Sequence, residues 1–212
     1  MKNNILYILV VVFSFLACSN PQKHATLPYY NTPDFTPHWK TDKSFPKELH
    51  SIAAFAFYDQ NGKIFSENDL KGHITLANFF FTTCGSVCPK MTHNLLGIQD
   101  SLKLHRTAQI LSFSVMPWKD SIATLKTYEV DNELDAKLWH LLTGNKSTIY
   151  TLARQSFFAE EEAGFALDSN EFLHTEHILL IDKNLHIRGI YNGTVKLDMQ
   201  HILDDIRILE GE

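Results

Sequence analysis

Cys84 and Cys88 have three residues between them and Pro89 directly after, and they follow the apolar run Leu76-Ala77-Asn78-Phe79-Phe80-Phe81. A run that continuous fits a strand covered on both faces rather than one side of an open sheet. Pro89 fits the first helical position, where a missing N–H costs nothing. The spacing therefore predicts strand, thiol loop and helix, a unit at home in an α/β sheet with helices packed over it. Two thiols delivered into such a loop are either a redox couple or a soft-metal site. The pattern alone leaves both readings open.

The N-terminus bears on which compartment those thiols meet. Lys2 precedes an apolar run over residues 5–17, too short for a comfortable membrane span and suited to a signal-peptide core. It closes on Phe15-Leu16-Ala17-Cys18, which resembles a bacterial lipobox, with Phe15 where leucine is usual. The expectation is cleavage before Cys18 and a diacylglycerol on its thiol. That would leave a membrane-anchored lipoprotein facing an extracytoplasmic, periplasm-like space. A plain secretory leader or an uncleaved anchor would also put the domain outside the cytoplasm. Of three cysteines in the chain, a lipid-bearing Cys18 leaves one pair. In an oxidising compartment Cys84 and Cys88 are expected to form a disulfide unless something reduces or ligates them.

With 212 residues, one domain behind a leader is expected: a signal peptide over 1–17, a tether and N-terminal arm over 18–48, and a domain over 49–212. The arm is proline-containing and aperiodic, and is expected to begin packing near Trp39. A net charge of −5 with no basic stretch gives no footprint for nucleic acid or for an anionic membrane surface. A hairpin is expected over 53–66 with Asn61-Gly62 at its tip. Strands are expected at 74–81, 109–115, 138–142, 177–181 and 187–191. Helices are expected at 89–104, 121–130, 146–154 and 196–209, the second capped by Asp120. This order describes an α/β, thioredoxin-like fold with an N-terminal β-hairpin and a central helical insertion.

The segment Phe79-Phe80-Phe81-Thr82-Thr83-Cys84-Gly85-Ser86-Val87-Cys88-Pro89 resembles the F-x-x-T-x-C-x-x-x-C-P signature of the Sco/SenC family, thioredoxin-fold copper proteins that assist cytochrome c oxidase assembly. Asp59-Gln60-Asn61-Gly62, Leu70-Lys71-Gly72, Ser112-Phe113-Ser114-Val115 and Leu141-Leu142-Thr143-Gly144 are similar to that family in the same order, over roughly residues 45–208. The resemblance implies a third copper ligand at His174, just ahead of the apolar stretch 178–181. Its competitors are His177, three residues on, and His93, which the helical pattern puts on a surface. Two thiolates and an imidazole suit Cu(I) and tolerate Cu(II).

Two functions follow from the resemblance. One is a metallochaperone that holds copper on Cys84, Cys88 and His174 and hands it to an oxidase subunit or another copper protein. The other is a thiol-disulfide oxidoreductase that cycles Cys84 and Cys88 to reduce a partner's cysteines. The three-residue spacing leaves more room for an ion than the two-residue spacing usual in dedicated oxidoreductases. A thioredoxin-fold peroxidase is set aside, because the thiol loop carries no arginine. One departure stands out. Where the family usually has an acid before proline, this chain has Met116, read as a packing change rather than a thioether ligand, and Asp120 keeps the second acidic position.

Overall fold

The computed structural model describes residues 26–159 and 175–212. The leader, Cys18 and His174 lie outside the described residues. The elements run β1 (Tyr29–Tyr30), β2 (Pro37–His38), β3 (Ala56–Tyr58), β4 (Ile64–Ser66), a 3-10 turn (Glu67–Asp69), β5 (Ile74–Phe80), α1 (Val87–Leu102), β6 (Ala108–Ser114), α2 (Ile122–Asp131), β7 (Trp139–Leu142), α3 (Lys146–Ser156), β8 (His177–Ile181), β9 (Ile187–Asn192) and α4 (Lys196–Gly211).

Five strands form the central sheet in the order β7-β6-β5-β8-β9. β5 pairs parallel with β6, and β6 parallel with β7. β8 runs antiparallel to β5, and β9 antiparallel to β8. Every residue of β5 and β6 is buried, because apolar layers cover both faces. On one face Met91, Leu95, Ile98 and Leu102 of α1 and Ile202 and Ile206 of α4 pack with Leu76 and Ile110. On the other, Ala77, Phe79 and Phe113 meet Phe57 and Phe65 of the hairpin and Ile149 and Ala153 of α3. This is the thioredoxin-like α/β arrangement that the element order predicts.

The β3–β4 hairpin also closes the sheet's edge at β7. The Gln60 side-chain amide donates to the Trp139 carbonyl and accepts from the Leu141 N–H, both at 2.8 Å, as a neighbouring strand would. Tyr58 and Thr143 exchange two backbone bonds beside it. An edge so occupied cannot pair with another chain. Asp59 Oδ1 accepts from the N–H groups of Asn61 and Lys63, and Gly62 at φ 74° completes the tip.

Three local expectations are corrected. Val87 rather than Pro89 opens α1, so the proline is the third helical residue, still among the four whose N–H has no intrahelical partner. Ser121, not Asp120, caps α2 by accepting from the Thr124 N–H. In the arm, Trp39 is 39% exposed, whereas Leu27 and Tyr29 are buried and β1 and β2 form a short ladder. The arm is held at that point by Arg188 of β9, whose guanidinium donates to the Leu27 and Pro28 carbonyls and lies 3.9 Å from the Tyr29 ring centroid.

Candidate metal centre

β5 ends at Phe80 in the middle of the sheet, and its chain continues into the thiol loop above the N-terminus of α1. The loop is tied down by a group that spacing alone does not reveal. Asp120 is fully buried, and its carboxylate accepts from the Thr82 N–H at 3.2 Å, from the Thr82 hydroxyl at 2.6 Å and from the Ser114 hydroxyl. Thr82 stands two residues before Cys84, so the acid fixes the loop's take-off from the sheet. Local pattern suggested a helix cap. A fold that brings the end of β6 alongside the end of β5 gives Asp120 this longer-range task instead.

Cys84 and Cys88 are free thiols here, the first half-buried and the second buried. Their positions differ electrostatically. The Cys88 N–H donates to Cys84 Sγ at 3.4 Å. Burial opposes ionisation of Cys84, but the Cys88 thiol and the N–H groups of Ser86, Cys88 and Val87 outweigh it and hold its pKa below the ordinary thiol value. Those amides belong to the first turn of α1, whose N-terminus favours an anion. Cys88 is pushed up to about 12, first by burial and then by its hydrogen bond to Cys84. One sulfur ionises more readily than an ordinary thiol and the other less readily. Tyr128 lies under the pair. Its ring is 5.4 Å from that of Phe80, and its hydroxyl meets the Thr92 hydroxyl at 2.9 Å.

The thiols open into a cleft of about 290 Å³ lined by Phe79, Phe80, Phe81, Val87 and Val115, and also by Thr175 and Glu176. The loop entering β8 therefore faces the thiol loop, ninety residues distant in sequence. Thr175 is the first described residue after the gap, directly following His174. Glu176 is clamped in place. Its Oε2 accepts from Asn192 Nδ2 at 2.8 Å and from the Thr194 hydroxyl at 3.2 Å, while its carbonyl accepts from the Gly193 N–H at 2.7 Å. Gly193 also packs closely on the core, since a Cβ there would lie 3.0 Å from Met91 and Ile178 side-chain atoms. The sequence reading passed over Glu176 in favour of the flanking histidines; the available signal was an acid at the mouth of an otherwise apolar strand.

The competing histidines fall elsewhere. His177 packs edge-on to Phe35 at 5.8 Å and does not line the cleft. His93 is exposed on α1. Met116 is half-buried after β6 and is not among the cleft-lining residues either. Among the described residues no three His, Cys, Asp or Glu side chains gather closely enough to hold a metal ion. A pair of sulfurs with an apolar wall and one open side can do two things chemically. It can take a soft ion with a further donor, or it can close to a disulfide.

The SCO1/SenC family profile matches residues 44–209. The SCO1 protein homolog of Bacillus subtilis (strain 168) is 31% identical over 160 residues, which is 74% of this chain and 82% of that protein. A solved SCO1/SenC family lipoprotein from Bacillus anthracis is 31% identical with a TM-score of 0.66, over 76% of this chain and 95% of the other. BsSco, a member of the Sco family of cytochrome c oxidase assembly proteins in which a disulfide switch was identified, is 30% identical with a TM-score of 0.66, over 76% and 94%.

Proposed function

The chain belongs to the SCO1/SenC family, and from that premise we propose that it is a copper metallochaperone for a cytochrome c oxidase copper centre, binding the ion as cargo on Cys84, Cys88 and His174. The observation that carries the reading is the shared cleft: Thr175 lines it together with both thiols. His174 immediately precedes Thr175 in the sequence. Two thiolates favour Cu(I), and an imidazole accepts either oxidation state. Cargo leaves by ligand exchange with thiols or thioethers of the receiving subunit. Both sulfurs bind as thiolates, so loading displaces the Cys88 proton and weakens as pH falls. A lipid on Cys18 would tether the domain beside a membrane-embedded oxidase, in keeping with the lipoprotein relative.

A second reading has its own support. A low-pKa thiol four residues before a high-pKa one is also the arrangement of a dithiol reductant, with Cys84 as nucleophile and Cys88 resolving. Anaerobic Cu(I) and Cu(II) titrations of the reduced protein separate the two. The chaperone reading expects one copper per chain, lost or weakened about 100-fold in Cys84→Ser, Cys88→Ser and His174→Ala and retained in His177→Ala. Unchanged binding in His174→Ala, with disulfide-reductase activity intact, favours the reductant.

A further inference from the structure

β7 is an edge strand of the central sheet, and the β3–β4 hairpin holds it in two ways. Gln60 bonds the main chain on either side of His140, at the Trp139 carbonyl and the Leu141 N–H. The His140 ring packs on Phe65 of β4, with centroids 4.6 Å apart. Its Nδ1 is buried and has no hydrogen-bond partner among the described residues. Three titratable groups act on the ring: Asp59 in the hairpin turn, Asp69 in the 3-10 turn and His73 ahead of β5. Both carboxylates are engaged elsewhere, Asp59 by the Asn61 and Lys63 N–H groups and Asp69 by the Ser66 N–H and hydroxyl. Leu111 of β6, beside His140 in the sheet, is apolar. The Lys126–Glu129 pair belongs to α2, whose Leu125 packs with Trp139 and Leu141 on the opposite face of β7.

We infer that His140 makes the hairpin an acid-sensitive latch: protonation of its ring loosens β4 and Gln60 from β7 and frees the sheet's edge. The latch stands apart from the thiol site and from the copper reading. A neutral imidazole can leave Nδ1 bare against an apolar neighbour, but an imidazolium carries an N–H at both nitrogens. At Nδ1 that N–H would be a buried, charged donor without an acceptor. Moving it into water means parting the ring from Phe65, which is itself buried and pairs with Phe57 across the hairpin. Burial holds the His140 pKa below the ordinary imidazole value, against the pull of Asp59 and Asp69 and with a further push from His73. A released hairpin lets the ring regain its ordinary affinity for a proton. The latch is therefore at full strength above about pH 6.5 and weakens as pH falls below it.

The test is amide hydrogen exchange of the copper-free protein at pH 7.5 and pH 5.5, normalised to the intrinsic exchange rate at each pH. It compares wild type with His140→Phe, which keeps a ring against Phe65 and removes the titrating nitrogens. The informative amides are Leu141, bonded to Gln60, and Tyr58 and Thr143, which bond each other's carbonyls. Their protection in wild type should fall about fivefold at pH 5.5, while the β5–β6 ladder holds. In His140→Phe the same amides should change less than twofold. An equal fall in the variant overturns the inference, as does an equal fall in the β5–β6 ladder, which would mean global loosening rather than a latch. NMR titration of the wild-type imidazole needs no variant. A His140 ring that titrates at or above the ordinary histidine value overturns the inference too, and a depressed midpoint supports it.

Discussion

The two ends of β5 handle charge in opposite ways. Beside Ile74, at the start of the strand, Arg188 is buried and every arm of its guanidinium has a partner. Nη1 lies 3.2 Å from Asp182 and 2.7 Å from Glu212, Nη2 reaches Glu212 and the Leu27 carbonyl, and Nε reaches the Pro28 carbonyl. Burial opposes ionisation of Glu212, yet Arg188 holds its carboxyl below the usual range. Beyond Phe80, at the other end, the groups stay mismatched. The pKa of Cys84 is held down and that of Cys88 pushed up, and among the described residues no cation meets Glu176, which lines the same cleft. The first end fastens the N-terminal arm and C-terminal helix to the sheet. The second leaves both thiols lining an open cleft.

The contrast can be broken most forcefully at the paired end. Arg188→Met leaves the buried Asp182 without its cation and Glu212 without its partner, and should cost about 3–5 kcal/mol and lower Tm by roughly 10 °C. Copper stoichiometry of the folded protein should not change. A matching loss of copper affinity would mean the two ends are coupled.

Asp120→Ala tests the boundary between the roles, because that acid serves the fold and the loop together. The Thr82 N–H, the Thr82 hydroxyl and the Ser114 hydroxyl lose their acceptor, at a cost of about 2–3 kcal/mol. Copper affinity should drop about tenfold as well, since the thiol loop loses its anchor. Chemical denaturation and Cu(I) titration of the same sample read both effects, and a stability loss without an affinity loss would confine Asp120 to the fold.

The smallest effect is a difference in rate within the thiol pair. Iodoacetamide acting on the reduced protein near neutral pH should alkylate Cys84 at least about tenfold faster than Cys88. A lowered pKa raises the thiolate fraction of Cys84 above that of an ordinary thiol at the same pH. Cys88, raised to about 12, holds its proton until strongly alkaline pH. Equal rates by peptide mass spectrometry would erase the asymmetry on which the comparison depends.

Much of this was legible before any coordinates. The unbroken apolar runs at β5 and β6 announced strands covered on both faces, and the 91, 95, 98, 102 spacing announced α1. Asn61-Gly62 announced the hairpin tip. The arm packs at Tyr29, which has a partner in Arg188, rather than near Trp39. Asp120 misled because a carboxylate ahead of a helix usually caps it, while here the end of β5 lies closer to hand.

What the chain order determined by itself is the succession of elements and the pair of sulfurs at the end of a buried strand. Those signals are local: periodicity, a proline and a turn act over a few residues. Which thiol ionises, what faces the thiols across the cleft and which charges cancel were decided only by the tertiary structure. Arg188 meets Leu27 from 161 residues away, and Glu176 lines the cleft from just ahead of β8, the strand paired with β5. Coulomb and solvation energies depend on distance and burial in space, and neither is written along the chain.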